Sequence, residues 1–144
     1  MKNIGISIIT VVYNNIRGIE RTIQSVLNQS YNNIEYIIID GGSTDGTLDV
    51  IKRYENRISY WISEADEGIY NAMNKGILKA HGSFLNFMNS GDTFVTSTTI
   101  ERLIERYEKG DKIIYGNILK CYDRRKERTS GIVRSEEHTS ELQS

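Results

Sequence analysis

Cysteine and histidine are scarce in this 144-residue chain, which contains one cysteine, Cys121, and two histidines, His81 and His138. A single cysteine cannot form an internal disulfide, and so few sulfur and imidazole ligands exclude a metal cluster of the His/Cys type. The composition fits a protein of the reducing cytosol.

The chain also lacks an excess of basic charge and a long apolar run. It has 18 Lys and Arg against 19 Asp and Glu, with one basic cluster at 123–128, so a nucleic-acid partner is not supported. Its first apolar segment, IGISIITVV at 4–12, is too short for a transmembrane segment. Because Gly, Ser and Thr interrupt it, it also does not match the pattern of a signal peptide. The length fits one domain with its own core.

The last segment, RSEEHTSELQS at 134–144, has no apolar periodicity. It resembles the in-frame translation of a common sequencing-library adapter, and an ordinary polar tail is the alternative. We therefore expect a domain over 1–133 and an artefactual tail over 134–144, which removes His138 from any functional argument.

Short apolar runs alternate with amphipathic stretches, a pattern typical of βαβ units and a mainly parallel sheet. The predicted strands are 4–13, 34–40, 59–63, 83–88 and 112–115. The predicted helices run from Ile16 to about Gln29, around 48–54, around 69–80, and from Thr98 to a stop at Gly110. In the third helix, Ile69, Met73 and Ile77 form one stripe, and Ala72, Gly76 and Ala80 form a stripe of small residues that favours close packing on the sheet.

The carboxyl ends of the predicted parallel strands lie at one edge of the sheet, where open α/β sheets bind ligands. Polar segments follow these strands: YNN, DGGSTDGT, SEADEGIYNAMNKG and NSGDTF. The chain contains no G-x-G-x-x-G after the first strand, no P-loop and no G-x-S-x-G motif. A calcium loop starting at Asp40 is excluded because its twelfth position is Ile51 rather than Glu.

Three stretches in this order, SIITVVYNN, YIIIDGGSTDGT and SEADEGIYNAMNKGILKAHGSFLNFMNSGDTF, resemble the N-terminal half of the family 2 glycosyltransferases, enzymes of the GT-A fold. The resemblance covers roughly residues 4–117. It implies a Rossmann-like α/β domain that is truncated at its C-terminus.

The resemblance further implies a nucleotide-sugar donor, commonly UDP-linked, and a divalent metal, Mn²⁺ or Mg²⁺. The sugar would pass with inversion to a glycan or lipid-linked acceptor. The catalytic base is expected beyond Val133, so this chain alone is expected to be inactive. The family also implies polysaccharide assembly in the cytoplasm, with possible peripheral attachment to the inner face of the cell membrane.

Matched to the family pattern, six residues acquire expected roles. Val11 and Tyr13 would line the base pocket, Asp40 would lie at the base edge, Asp66 near the donor, Lys75 near the phosphates, and Asp92 on the metal.

The chemistry of these side chains supports the roles but leaves alternatives. A carboxylate such as Asp40 only accepts hydrogen bonds, so it would select a base with an N–H, as uracil has at N3; alternatively it caps the turn that follows. Hard oxygen ligands such as Asp92 suit Mn²⁺ and Mg²⁺, although Gly91 stands where many relatives have an acid, and Asp92 could instead cap a turn. Lys75 could be an ordinary exposed helical lysine.

Asp45 is predicted to be structural. Ser43 or Thr44 would cap the second helix, and Asp45 would lie in its first turn, where the helix dipole favours negative charge.

Two other classes of protein remain open at this point. A sugar-1-phosphate nucleotidyltransferase shares the architecture but should carry a Gly-rich, Arg-containing loop after the first strand, which this chain lacks. A non-catalytic α/β binding domain predicts no metal-dependent response to nucleotide.

Overall fold

A computed structural model of the protein describes residues 3–108 and two short strands further along the chain. The elements are β1 (Ile6–Val12), α1 (Ile16–Leu27), β2 (Ile34–Asp40), α2 (Thr47–Arg53), a 3₁₀-helix (Glu55–Arg57), β3 (Tyr60–Ser63), α3 (Ile69–Lys79), β4 (Phe84–Phe87), α4 (Thr99–Glu105), β5 (Ile118–Leu119) and β6 (Ile132–Val133). The first four predicted strands and all four predicted helices are therefore present. The predicted strand 112–115 lies outside the described residues. The fourth helix was predicted to continue to a stop at residue 110, but α4 ends at Glu105 and residues 106–108 are not helical, because the Tyr107 N–H donates to the carbonyl of Ile104, three residues back, in a tighter turn.

Strands β1 to β4 form one parallel sheet in the order β3-β2-β1-β4. Along β1, Ile6 pairs with Ile34 of β2 on one side and with Phe84 of β4 on the other. Helices connect the successive strands. This mainly parallel sheet with flanking helices confirms the predicted α/β class.

The chain divides into two compact units, 1–100 and 101–144, and the parallel sheet belongs to the first. β5 and β6 form an antiparallel pair in the second. The predicted domain boundary after Val133 stays a prediction.

The order in which strands are added to the sheet changes direction next to β1. β2 and β3 lie on one side of β1, and β4 lies on the other. Right-handed crossovers therefore put α1 and α2 on one face of the sheet and α3 on the opposite face. The gap between the carboxyl ends of β1 and β4 is the topological switch point, where α/β folds of this kind bind ligands.

Small residues bring α3 close to the sheet. A Cβ added to Gly76 would lie 2.5 Å from Cγ2 of Ile9, and Ala72 is only 2% exposed. The predicted small-residue stripe is thus the buried stripe of α3. The predicted apolar stripe does not face the sheet. Ile69 and Ile77 are exposed, because the neighbouring stripe of Ala72 and Gly76 makes the contact with the sheet.

The amino edge of the sheet carries a polar cluster centred on Glu35. Its Oε1 accepts hydrogen bonds from the Ser7 hydroxyl at 2.6 Å and the His81 N–H at 2.7 Å, and its Oε2 lies 2.7 Å from His81 Nδ1. Partial burial opposes ionisation, but the bonds from Ser7 and His81 outweigh it and lower the pKa of Glu35.

The longest helix in the described part of the chain, α1, has 12 residues. None of the helices described there combines the length and hydrophobicity that a membrane span requires.

Candidate functional site

Backbone hydrogen bonds beyond the strand ends hold the polar segments together at the carboxyl edge of the sheet. The Glu64 N–H donates to the Asp40 carbonyl at 3.0 Å, which joins the segments after β3 and β2. The Ser90 N–H donates to the Val11 carbonyl at 3.2 Å, which joins the segment after β4 to β1. The structure therefore brings together the segments that the sequence predicts at one edge.

Asp40 is fully buried, and both of its carboxylate oxygens accept hydrogen bonds. Oδ2 accepts from the backbone N–H groups of Gly42 and Ser43, at 2.9 and 2.8 Å, and from the Ser63 hydroxyl at 2.8 Å. Oδ1 accepts from the Ser43 hydroxyl at 2.5 Å. Such bonds compensate the cost of burying a charge, so the carboxylate fixes the turn after β2 and ties it to β3.

The turn after β2 is also fastened to the turn after β1. Asn14 adopts a left-handed conformation with φ of 48°, and its N–H donates to the Ser43 hydroxyl at 2.8 Å. Its side-chain oxygen accepts from the Thr44 N–H at 2.7 Å. The two turns therefore form one connected surface.

Asp45 is structural, as predicted, but in a different position. Helix α2 begins at Thr47, so Asp45 precedes the first turn, and neither Ser43 nor Thr44 caps that helix, whose N-cap is a glycine without a side-chain bond. Oδ1 of Asp45 accepts from the Thr47 hydroxyl and N–H, and Oδ2 accepts from the N–H of Ile16, the first residue of α1. The bond from the Thr47 hydroxyl, with those from the two N–H groups, lowers the pKa of Asp45.

Asp92 lies on a tight turn just after β4, and its side chain is exposed. The Asp92 N–H donates to the Asn89 carbonyl at 3.0 Å, and Gly91 has a φ of 98°, which glycine adopts without strain. Among residues 3–108, no hydrogen bond or ion pair engages the Asp92 carboxylate. The turn is thus fixed by its backbone while the carboxylate remains available.

Thr22, which was not predicted as a site residue, braces this turn from α1. Its buried hydroxyl donates to the Asp92 carbonyl at 2.8 Å and accepts from the Gly91 N–H at 2.8 Å. The available signal was a polar residue inside the buried stripe of α1, next to Ile23.

Asn15 makes a second connection across the switch point. Its side-chain oxygen accepts from the Gly18 N–H at 3.1 Å and caps α1. Its side-chain nitrogen donates to the Ser90 hydroxyl at 3.1 Å. The start of α1 is therefore attached to the turn that carries Asp92.

Asp66 lies half-buried beside the turn after β2. Its Oδ1 accepts from the Gly68 N–H at 3.0 Å, whereas its Oδ2 accepts no hydrogen bond from the described part of the chain. A Cβ added to Gly41 would lie 2.7 Å from that Oδ2. The Asp66 carboxylate therefore occupies the space that a side chain at position 41 would fill.

Lys75 is half-buried on α3 rather than freely exposed. Its Nζ lies 3.1 Å from Oε1 of Glu64 and donates to the Ala65 carbonyl at 3.4 Å. The lysine thus anchors the segment that leads to Asp66.

The two residues predicted to line a base pocket differ in exposure. Val11 is only 6% exposed and belongs to a core cluster with Ile9, Ile37 and Ile39. Tyr13 is 64% exposed directly after β1, so its ring is available to a ligand.

The described residues contain no group of three or more His, Cys, Asp or Glu side chains that could hold a metal ion. Asp92 offers a single exposed carboxylate, and the side-chain oxygen of nearby Asn89 is buried without a hydrogen-bond partner there. This donor set fits Mg²⁺ or Mn²⁺ bound with a nucleotide, because such ions take their other ligands from water and phosphate oxygens.

A family model described as Glycosyl transferase family 2 matches residues 7–142. The chain is 41% identical over 101 residues to an uncharacterized glycosyltransferase of Mycobacterium tuberculosis, covering 69% of this chain and 38% of the relative. It is 41% identical over 90 residues to the putative teichuronic acid biosynthesis glycosyltransferase TuaG of Bacillus subtilis, covering 60% of this chain and 36% of the relative. The chain thus spans well under half the length of these two curated relatives.

Solved structures agree with the fold. The mannosyltransferase PcManGT of Pyrobaculum calidifontis, in complex with GDP-Man and Mn²⁺, superposes with a TM-score of 0.67 at 20% identity, over 72% of this chain and 32% of that one. TarS 1–349 of S. aureus, in complex with UDP-GlcNAc, superposes with a TM-score of 0.57 at 25% identity, over 60% of this chain and 26% of that one.

Proposed function

Because this chain belongs to glycosyl transferase family 2, we propose that it forms the donor-binding part of a glycosyltransferase that uses a UDP-sugar together with Mn²⁺ or Mg²⁺. The parent protein would transfer the sugar with inversion to a glycan or lipid-linked acceptor. Family membership supports this proposal over a sugar-1-phosphate nucleotidyltransferase and over a non-catalytic α/β binding domain.

The Asp92 turn is the observation that carries the proposal. An exposed carboxylate without a partner in the described region lies just after β4, at the switch point of the sheet. The buried Thr22 side chain holds the turn through two hydrogen bonds, to the Asp92 carbonyl and from the Gly91 N–H. A carboxylate that serves only as a turn cap would accept such bonds itself, whereas here the backbone of the turn is held and the carboxylate is left for a ligand.

Asp92 would hold the metal ion, with remaining ligands from water and the donor diphosphate. When bound, such a metal neutralises the negative charge that develops on the departing nucleoside diphosphate. This role requires only one protein carboxylate, in agreement with Gly91 at the neighbouring position.

The base end of the donor would lie on the joined turns after β1 and β2. Tyr13 offers an exposed ring for stacking, and Val11 supports the floor of this region from the core. Asp40 holds the turn after β2 in shape, and Lys75 anchors the segment that carries Asp66. In this assignment Lys75 contributes to the phosphate region indirectly, by holding the segment that carries Asp66 in place.

The names of the relatives support the substrate class. TarS was solved in complex with UDP-GlcNAc, and TuaG is named a putative teichuronic acid biosynthesis glycosyltransferase. We propose that the parent protein likewise builds a cell-surface polysaccharide, in the cytoplasm or at the inner face of the membrane.

Thermal unfolding of the 144-residue chain with UDP and Mn²⁺ tests the proposal. A ligand that binds only the folded state stabilises it by an amount that grows logarithmically with ligand concentration and affinity, so UDP should raise Tm, and more so with Mn²⁺ than with EDTA. The Asp92→Ala variant should lose the Mn²⁺-dependent part of this rise.

The matched control is Glu55→Ala, which removes another exposed carboxylate from the 3₁₀-helix that leads into β3, away from the carboxyl edge. This variant should respond as the wild type does. Equal responses of the wild type and Asp92→Ala would contradict the metal assignment, and no response of the wild type to UDP would contradict the donor assignment.

A further inference from the structure

An open cleft lies between α1 and the segment 93–97, which follows the Asp92 turn. Side chains of α1 form one wall and residues 93–97 form the other, and the cleft has a volume of about 390 Å³. All of these residues belong to the first compact unit of the chain. The volume falls in the range of clefts that bind small molecules.

Hydrogen bonds from α1 and the residues just after it fix the wall formed by 93–97. The Phe94 N–H donates to the Ser25 hydroxyl at 2.7 Å, and the side-chain nitrogen of Gln29 donates to the Thr96 carbonyl at 2.7 Å. The shape of the cleft is therefore set before a ligand binds, which lowers the entropic cost of binding.

The side chains that line the cleft leave several polar groups available. Arg21 is exposed, and no acidic side chain in the described part of the chain pairs with its guanidinium. The side chains of Asn28, Thr93 and Ser97 also line the cleft, and among residues 3–108 none of them is engaged in a hydrogen bond. Val95, which is 66% exposed, adds an apolar surface.

This combination matches a sugar that carries one acidic group. A guanidinium binds a carboxylate through two parallel hydrogen bonds, and Arg21 is the one cation among the described residues that line the cleft. Amide and hydroxyl side chains both donate and accept hydrogen bonds, as the hydroxyl groups of a sugar do. A single guanidinium suits a single acidic group better than a polyphosphate.

We propose that this cleft binds a saccharide with an acidic group, with Arg21 on the acid, Asn28 and Thr93 on ring hydroxyls, and Val95 against the C–H face of the ring. The inference extends the proposed function, because a polysaccharide that contains acidic sugars would supply this ligand. The cleft would hold such a chain at a point other than the reacting end.

The cleft is separate from the region assigned to the donor. Helix α1 begins at Ile16, at the carboxyl edge of the sheet, and runs toward the opposite edge. Arg21 lies about 8 Å and Asn28 about 18 Å further along the helix axis. A ligand in the cleft therefore does not compete with the donor for the turns after β1 and β2.

NMR titration of the isotope-labelled 144-residue chain with cellobiouronate and with cellobiose tests the proposal. These disaccharides differ in one carboxylate. Cellobiouronate should shift the backbone amide signals of Phe94 and Thr96 and should bind about 10-fold more tightly than cellobiose, because a hydrogen bond between charged groups contributes more than one between neutral groups.

Arg21→Gln should weaken the binding of cellobiouronate about 10-fold and leave the binding of cellobiose nearly unchanged, since the neutral sugar does not use the charge. Arg17→Gln is the matched control. It removes another exposed arginine of α1 that does not line the cleft, so both affinities should stay at the wild-type value. Circular dichroism of both variants should remain native, because the two side chains are exposed.

Three results would overturn the proposal: no shift of the Phe94 and Thr96 signals in the wild type, equal affinity for the two disaccharides, or equal loss of affinity in Arg17→Gln and Arg21→Gln. Inorganic phosphate that causes the same shifts at the same concentrations would also overturn it, because the cleft would then bind anions without regard to the sugar.

The proposed function can fail independently of this inference. Thermal unfolding of Arg21→Gln with UDP and Mn²⁺ should match that of the wild type. If cellobiouronate binds but UDP does not raise Tm, the donor assignment is wrong and the saccharide cleft stands. If UDP raises Tm with Mn²⁺ and neither disaccharide binds, the cleft assignment alone is wrong.

Discussion

The carboxylate of Asp45, in the turn after β2, accepts a hydrogen bond at 3.0 Å from the backbone N–H of Ile16, the first residue of α1. The first N–H groups of a helix have no partner within the helix, so this bond from a separate segment completes the start of α1. The same carboxylate accepts from Thr47 and so ties the start of α2 to that of α1.

Asp45→Ala should therefore lower Tm measurably, because the first turns of two helices lose their shared acceptor. Asp45→Asn should give a smaller decrease, since the amide keeps one oxygen acceptor. Differential scanning calorimetry of the wild type and both variants provides the measurement. A Tm for Asp45→Ala equal to that of the wild type would show that the bond contributes nothing to stability.

The pKa values of Glu35 and Asp45 predict a loss of stability in acid. Both are lowered in the folded protein, so the unfolded chain takes up protons first as the pH falls. Their contribution to stability is complete above the unfolded pKa values, about 4, and is lost as the pH falls through the lower folded values. Denaturant unfolding at pH values from 7 to 3 should show this decline.

Glu35→Gln keeps an oxygen that can accept from Ser7 and His81 but removes the titration. Its free energy of unfolding should fall less between pH 5 and pH 3 than that of the wild type. Parallel declines in the two proteins would mean that Glu35 does not contribute to the acid dependence.

Thr22 is predicted to act on the metal through the Asp92 turn. Thr22→Val has nearly the same shape but leaves the Gly91 N–H and the Asp92 carbonyl without their partner, which should cost about 1–3 kcal/mol of stability. The loosened turn should also weaken the Mn²⁺-dependent part of UDP binding.

Thr22→Ser retains the hydroxyl and should keep the wild-type response to Mn²⁺ at a temperature where all three proteins are folded. Calorimetric titration of UDP with Mn²⁺ and with EDTA separates the two effects. If Thr22→Val loses stability but keeps the full Mn²⁺ dependence, Thr22 is structural only.

Close packing of α3 predicts that position 76 tolerates no side chain. Gly76→Val should reduce stability by about 1–3 kcal/mol, because its Cβ would overlap the Ile9 side chain. Asn74→Val, which places the same residue on the exposed side of α3, is the control for the helix propensity of valine. Urea unfolding of both variants measures the difference, and equal destabilisation would contradict tight packing at Gly76.

Much of the fold could be predicted because local patterns dictate it. β2 matched its predicted bounds, since a continuous apolar run bounded by polar residues marks a strand buried on both faces. The buried side of α3 was harder to predict: Ile69 and Ile77 are the more apolar residues, but Gly76 decides the contact because backbone distance matters more there than side-chain area.

The candidate site was predicted at the level of its segments but not of its contacts. The carboxyl ends of the strands gather the predicted residues, as the parallel topology requires. Whether a given aspartate faces the turn or a ligand depends on partners distant in sequence. The Ser63 hydroxyl donates a hydrogen bond to the Asp40 carboxylate. The Thr22 hydroxyl holds the backbone of the Asp92 turn, so the Asp92 carboxylate is not needed to stabilise that turn. The reading of the base by Asp40 stays a prediction, which its internal hydrogen bonds do not favour.

Helix α1 acts as a spacer of fixed length. Ile16 at its start contacts the turn after β2, and Thr22, six residues later, contacts the turn after β4. These positions are about 9 Å apart along the helix axis. The same rigid helix therefore sets the separation between the region assigned to the base and the region assigned to the diphosphate, so a shift of α1 would alter both ends of the site together.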